Sequence, residues 1–240
     1  MSLQTILKYL RQADNEYQLI EAQDRIGVGL SGGKDSIVLL HALKRYQSFS
    51  PVPFELFAFH IQVGFEQDDF HLLKEYCDKN AIEYIHVDTD IYASLSSHMT
   101  NKNQLPCSLC SKMKRATIFR CAKEHNCNKI AYGHHLDDAI ETIFLNMIYG
   151  GKIATFTPKT MFERAGMELI RPLIYASEDE IAKVIQKENL PVIISNCPND
   201  KKTQREDIKS WLNQVYRDFP TSRKNFIKML ENGEQLKIWK

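Results

Sequence analysis

No stretch of this 240-residue chain approaches the roughly 20 apolar residues that span a bilayer. The N-terminal segment, MSLQTILKYLRQADNEYQLIEAQDR, lacks the apolar core of a signal peptide, which points to the cytosol and away from any membrane. There is no excess of one charge either. Thirty-one Lys and Arg stand against 30 Asp and Glu, a net charge of +1, so the chain is not a generally basic nucleic-acid coat, although a local basic patch is compatible with it. Internal repeats and low-complexity linkers are missing. Six cysteines in a chain of this length do not make a disulfide framework, and those that cluster read as metal or thiol chemistry. What is there is 43% hydrophobic and 25% charged, enough apolar content for a sizeable core, which excludes disorder, collagen and coiled coil.

Short β-branched runs alternate with helical patterns, the signature of βαβ units and a parallel sheet. Residues 3–19 have helical apolar spacing. Strands are expected at 25–30, 54–61, 82–87 and 129–132, with helices at 37–46, 70–80, 112–124 and 137–149. A polar stretch at 89–106 reads as a loop with a short helix. Residues 162–170 suggest a hairpin turning at Ala165-Gly166, and 192–194 a last short strand. Capping boxes, Ser177-Glu-Asp-Glu180 and Thr203-Gln-Arg-Glu206, open helices to about Glu188 and Phe219, and a short helix follows from Ser222 to Leu230. The expected fold class is α/β, a doubly wound, mostly parallel sheet with a helical C-terminal extension. It divides into an N-terminal helix (1–21), the sheet domain (22–175) and the extension (176–240). Ligands of such sheets sit at the carboxyl ends of the strands.

Two motifs lie at such ends. Ser31, Gly32, Gly33, Lys34, Asp35 and Ser36 (SGGKDS) join the first strand to a helix. The glycines let backbone N–H groups approach an anion, the helix N-terminus adds its positive end, the serines add donors and Lys34 a cation. Asp35 repels phosphate and makes sense if it holds a bridging Mg²⁺. The longer kinase-type P-loop is excluded by spacing. This segment resembles the PP-loop ATP pyrophosphatases, which cleave ATP between the α- and β-phosphates and transfer AMP to a substrate oxygen. The second motif, Tyr132-Gly-His-His-Leu-Asp-Asp-Ala-Ile-Glu-Thr142, closes the fourth strand. Gly133 permits close backbone approach. His134 and His135 either contact phosphate or pack in the loop. Asp137 and Asp138 either cap the helix or supply a second Mg²⁺ ligand or orient the substrate. This motif resembles the GHxxDD segment shared by tRNA lysidine synthetases and tRNA thiolases.

Cys107-Ser-Leu-Cys110 precedes basic residues of the 112–124 helix. Such a pair suits zinc, an iron–sulfur cluster or a redox dithiol, the last weakened because no thioredoxin-like strand precedes it. Cys77, Cys121 and Cys127 read as buried or incidental thiols. Cys197 lies in a loop before a capped helix. The Cys pair with Lys114-Arg115, GHHLDDAIETIFLNMIYGGK and Ile170-Arg-Pro-Leu173 together resemble the tRNA 2-thiocytidine synthetases, over nearly the whole chain. That resemblance implies an adenine nucleotide alpha hydrolase-like PP-loop fold and an ATP-dependent, AMP-forming replacement of the C2 oxygen of an anticodon-loop cytidine by sulfur. It implies ATP, Mg²⁺ on Asp35 and Asp138, and a [4Fe–4S] cluster on Cys107, Cys110 and Cys197. Asp35, Asp138 and Lys114 are the candidate catalytic residues. ATP falls to Ser31–Ser36 with Gly133 and His134.

tRNA is the implied partner, with Lys112, Lys114, Arg115 and Arg205 the candidate contacts. Lys201, Lys202, Lys209, Arg223, Lys224 and Lys228 form a second basic stretch, which by default is a solvated face. A sulfur donor such as a cysteine desulfurase is implied, and a homodimer is compatible. The rival readings are a 2-thiouridine enzyme, a lysidine synthetase, and a non-catalytic ATP- or RNA-binding regulator with a structural metal.

Overall fold

The computed structural model describes residues 3–65, 70–97, 105–193, 196–200 and 202–233. Helix α1 (Leu3–Tyr17) leads into β1 (Asp24–Gly29), α2 (Lys34–Tyr46), β2 (Phe54–Gln62), α3 (His71–Lys79) and β3 (Glu83–Asp88). Then follow α4 (Ile91–Ser96), α5 (Cys107–Glu124), β4 (Lys129–Ala131) and α6 (Leu136–Gly150). Strands β5 (Lys159–Phe162) and β6 (Met167–Ile170) flank a 3₁₀ turn, and α7 (Glu178–Glu188), α8 (Gln204–Asp218) and α9 (Ser222–Glu231) complete the described chain. Among the described residues no helix is long and apolar enough to cross a membrane.

The strands form one sheet in the order β3-β2-β1-β4-β6-β5, parallel except for the β5–β6 pair. The period-2 alternation of the strands feeds two separate cores. In β2, Phe54, Leu56 and Ala58 join the cluster containing Ile6 and Leu10 of α1, Leu39 of α2 and Ile181 of α7. Phe57, Phe59 and Ile61 join the opposite cluster, with Ile118 and Phe119 of α5. Both faces of the sheet are therefore covered, the doubly wound arrangement that a parallel sheet requires. A third, smaller cluster joins Ile140 of α6 to Ile208 and Leu212 of α8, fixing the C-terminal helices to α6.

The strand order reverses between β1 and β4, so the crevice at their carboxyl ends is the place such a sheet binds ligands. The loop after β1 is SGGKDS, and the loop after β4 is GHHLDD.

Several local expectations are corrected. Helix α5 begins at Cys107, so the Cys pair occupies its first turn instead of a preceding loop. Pro106 occupies the N-cap position, where the fixed ring geometry suits a helix start. Likewise α2 begins at Lys34, within the glycine motif. The Ser177 capping box forms: its hydroxyl accepts the Glu180 N–H and Glu180 accepts the Ser177 N–H. The Thr203 box does not. Thr203 stands at the N-cap of α8 but makes no side-chain cap bond. Residues 192 and 193 carry no strand pairing; 194, the rest of that expected strand, and Lys201 lie outside the described residues.

Candidate active site

The glycine loop is held by its own serines. The Ser36 hydroxyl donates to the Gly33 carbonyl (2.9 Å) and accepts the Ser31 N–H (3.2 Å), while the Ser31 hydroxyl accepts the Gly33 N–H (3.3 Å). Gly32 turns with φ +85°, a region L side chains avoid, and a Cβ there would stand 3.0 Å from that of Ile193. No side chain caps the start of α2, so its first amides and the positive end of the helix face the crevice. Lys34 Nζ lies 3.0 Å from Asp35 and 3.1 Å from Glu178, whose carboxylate is also held by Lys209 at 2.7 Å. Burial alone would raise the Glu178 pKa; the two lysines hold it down at about 2. Burial lowers and the two carboxylates raise the Lys34 pKa, and the carboxylates prevail.

The second motif is docked directly on the first. A Cβ on Gly133 would stand 2.7 Å from the Asp35 carbonyl oxygen, so only glycine lets the two loops meet backbone to backbone. His135 caps α6: its Nδ1 accepts the Asp138 N–H (3.4 Å), and Asp138 Oδ2 accepts the His135 N–H (3.0 Å). Asp137 takes Arg223 at 2.7 Å and the Glu178 N–H at 2.8 Å, tying α6 to α7 and α9.

These contacts involve two of the expected site residues. One Asp138 oxygen serves the cap and the other faces Arg205 at 3.3 Å. Arg205 is turned inward. Its guanidinium is shared by Asp138, Glu141 (3.1 Å) and Thr142 (3.2 Å), with 40% of the side chain exposed. Asp35 is likewise engaged: Lys34 Nζ stands 3.0 Å from its Oδ1 and 3.1 Å from its Oδ2, and His135 Nε2 lies 3.6 Å from Oδ1.

A cavity of about 440 Å³ opens between this end of the sheet and α5. Its wall includes Ser31, His60, Tyr132 and His134 from the sheet side and Lys114 and Arg115 from α5. His60 is 2% exposed, and its Nδ1–H donates to the Leu30 carbonyl at 2.7 Å in the neutral tautomer. Burial lowers its pKa to about 4. Burial likewise lowers that of His134 to about 4. The His134 Nδ1 accepts from Arg171 Nε at 3.3 Å, and Phe156 lies beneath the Arg171 guanidinium at 4.9 Å. Both histidines therefore act here as neutral, oriented rings.

The Cys pair precedes the α5 wall of this cavity: Ser111, the next residue after Cys110, and Lys114, one turn further on, line it. Buried Asn199 joins the loop carrying Cys197 to the start of α5. Its amide donates to the Leu105 carbonyl (2.8 Å) and to Cys107 Sγ (3.0 Å), and its oxygen accepts the Leu105 N–H (3.2 Å). Burial raises the Cys110 pKa; Lys114 opposes this, while Cys197 and Cys107 add to it, so the three thiols are electrostatic neighbours. Among the described residues no three Cys, His, Asp or Glu side chains converge as a single-ion site. Cys77, Cys121 and Cys127 are buried elsewhere, and burial pushes Cys77 and Cys127 up to about 12.

The sequence therefore located Ser31–Ser36, Gly133, His134 and Lys114 around one crevice, whereas Lys112 points outside the cavity. It missed Glu178, Arg171 and Asn199 as site residues. Glu178 and Arg171 lay inside recognised motifs, the capping box and Ile170-Arg-Pro-Leu173, but nothing local announced their long-range partners. Asn199 carried no signal at all.

A PP-loop domain model matches residues 3–216. Among curated proteins, the chain is 38% identical over 225 residues to a tRNA-cytidine(32) 2-sulfurtransferase of Vibrio cholerae, covering 92% of this chain and 71% of that one. It is 38% identical over 221 residues to the protein of the same name from Aliivibrio fischeri, covering 90% and 71%. Among solved structures it resembles the U34-tRNA thiolase NcsA of Methanococcus maripaludis with its [4Fe-4S] cluster, with a TM-score of 0.78 and 24% identity over 98% of this chain and 80% of that one. The NH3-dependent NAD synthetase of Campylobacter jejuni shares the fold at a TM-score of 0.52 and 18% identity, both chains being covered in full.

Proposed function

This chain belongs to the PP-loop family of tRNA-cytidine(32) 2-sulfurtransferases, and from that premise we propose how its residues divide the reaction. ATP binds with its phosphates on Ser31–Ser36 and its nucleoside in the cavity beside His60 and Tyr132. Asp35 would hold Mg²⁺, which when bound would neutralise charge on the phosphates, and Lys34, 3.0 Å from the Asp35 carboxylate, adds its cation at the same place. The C2 oxygen of an anticodon-loop cytidine attacks the α-phosphate, the α–β bond breaks and pyrophosphate leaves. Sulfur then attacks C2, and AMP departs with the original oxygen on its phosphate. Asp138 acts as a positioning residue, orienting His135 toward Asp35. Cys107, Cys110 and Cys197 would hold a [4Fe–4S] cluster, which when bound presents the transferred sulfur. A donor such as a cysteine desulfurase supplies it.

One observation carries this reading: a single cavity has Ser31, the start of the phosphate loop, on one wall and, on the other, Ser111 and Lys114 of α5, the helix whose first turn carries Cys107 and Cys110. Activation and sulfur delivery can therefore act on one base without its leaving the site. The test is mass spectrometry of nucleosides from bulk tRNA in cells with and without this gene. Selective loss of 2-thiocytidine, restored by the intact gene and not by Cys197→Ala, is the expected result. An unchanged nucleoside profile overturns the reading, and loss of a different thiolated nucleoside overturns the choice of base.

A further inference from the structure

Helix α5 presents two faces with different chemistry. Ser111, Lys114 and Ile118 line the nucleotide cavity. At helical spacing on the adjoining face, Lys112, Arg115, Arg120 and Lys123 line a second, open groove of about 710 Å³, closed on its other side by the β5–β6 hairpin. Its floor is apolar and includes Phe162, over which the Arg115 guanidinium lies at 5.0 Å. The hairpin adds Arg164 and the 59%-exposed side chain of Met161. Five cations thus meet a single carboxylate, Glu163. None of the five forms a salt bridge among the described residues, in contrast to Lys34, Lys129, Arg205, Lys209 and Arg223, which all do.

The groove is continuous with the active site, because Arg115 belongs to both walls. On a chain whose total charge is +1, this is a local concentration of unneutralised positive charge leading to the reactive cavity. An exposed thioether and an arginine held flat on an aromatic ring are surfaces on which unstacked bases rest.

We propose that the α5–hairpin groove is the track for the RNA backbone: phosphates run along Arg120, Lys123 and Arg164, and the strand enters the cavity past Arg115. This rests on the functional reading above and adds to it a surface that neither glycine motif touches. It transfers the external RNA contact from Arg205, which is turned inward, to the hairpin residue Arg164 and the distal half of α5.

The test uses the full chain and unmodified tRNA, with binding measured by filter retention across a salt series. The variant Arg120→Ala/Lys123→Ala/Arg164→Ala changes three exposed side chains. A control, Lys8→Ala/Lys79→Ala/Lys187→Ala, removes the same charge from exposed positions of α1, α3 and α7. The groove variant is expected to bind tRNA about tenfold or more weakly at low salt, with the log–log salt slope flattened by about 2 to 3. The control is expected to match the wild type, and ATP binding to be unchanged in both. Equal loss in the two variants, or none in the groove variant, overturns the groove while leaving the functional reading intact. A wild-type chain that binds no tRNA overturns that reading and the groove with it.

Discussion

Asn199 donates its side-chain amide to the sulfur of Cys107 at 3.0 Å, and the same amide group clamps both backbone groups of Leu105. One buried side chain therefore sets the distance between the loop carrying Cys197 and the turn carrying Cys107 and Cys110. Replacing Asn199 by Ala strands a buried backbone donor and acceptor, at a cost of about 1–3 kcal/mol. The thiol set is expected to loosen with it. After anaerobic reconstitution, Asn199→Ala should retain about half or less of the wild-type iron per chain while staying folded by circular dichroism. A full iron load in the variant would show that the thiols find their places without this clamp.

The six thiols are expected to separate by reactivity. Cys107 is exposed at a helix N-terminus, whereas burial pushes Cys77 and Cys127 up to about 12. The thiolate is the reacting form, so at pH 8 iodoacetamide should modify Cys107 at least about 100-fold faster than either. Reconstitution with iron and sulfide should then protect Cys107, Cys110 and Cys197 and leave the buried three as they were. Peptide mass spectrometry reads both results. Protection of Cys121 or Cys127 in place of Cys197 would remove Cys197 from the ligand set.

Gly133→Ala places a methyl group 2.7 Å from the Asp35 carbonyl oxygen, which is backbone and cannot swing away. The two loops must part. A loss of about 1–3 kcal/mol is expected, and because Asp35 moves with its backbone, 2-thiocytidine formation should fall about tenfold or more. Urea unfolding and a single-turnover assay measure the two effects. A stable variant with unchanged turnover would mean that the loop contact is dispensable.

The Glu178 carboxyl titrates at about 2 in the folded chain against an ordinary 4.5, because Lys209 and Lys34 outweigh its burial. A depressed folded pKa means that the unfolded chain binds more protons between these values. The stabilisation is complete above about pH 4.5 and is lost as the pH falls toward 2. Its size, discounted for partial exposure, is about 2 kcal/mol. Glu178→Gln should therefore be less stable than the wild type at pH 6, and the difference should shrink as the pH is lowered to 3. Urea titrations at the two pH values test this. A pH-independent difference would assign Glu178 a packing role instead of an electrostatic one.

The sequence by itself determined the local features. The alternation in β2 and the helical spacing of α2 predict elements within a few residues of those observed. SGGKDS declares an anion cradle because glycine freedom, donor hydroxyls and a helix start are all properties of adjacent residues. Two local errors have local causes. The helix continues back through Cys107 because Pro106 pre-sets its start, and Thr203 takes a cap position without using its hydroxyl.

What only the tertiary structure decided is which charges remain available. Arg205 and Arg115 look alike in the sequence. Packing α8 against α6 brings Arg205 onto Asp138 and Glu141, whereas the α5 face opposite the hairpin leaves Arg115 and its neighbours without a salt bridge among the described residues, Glu163 being the one carboxylate lining their groove. Asp35 and Asp138 separate in the same way, one set beside the Lys34–Glu178 pair and the other drawn onto Arg205. These partners lie tens of residues apart along the chain. The energy of a buried charge depends on the groups that folding brings to within a few ångströms of it, and sequence neighbours do not specify those groups.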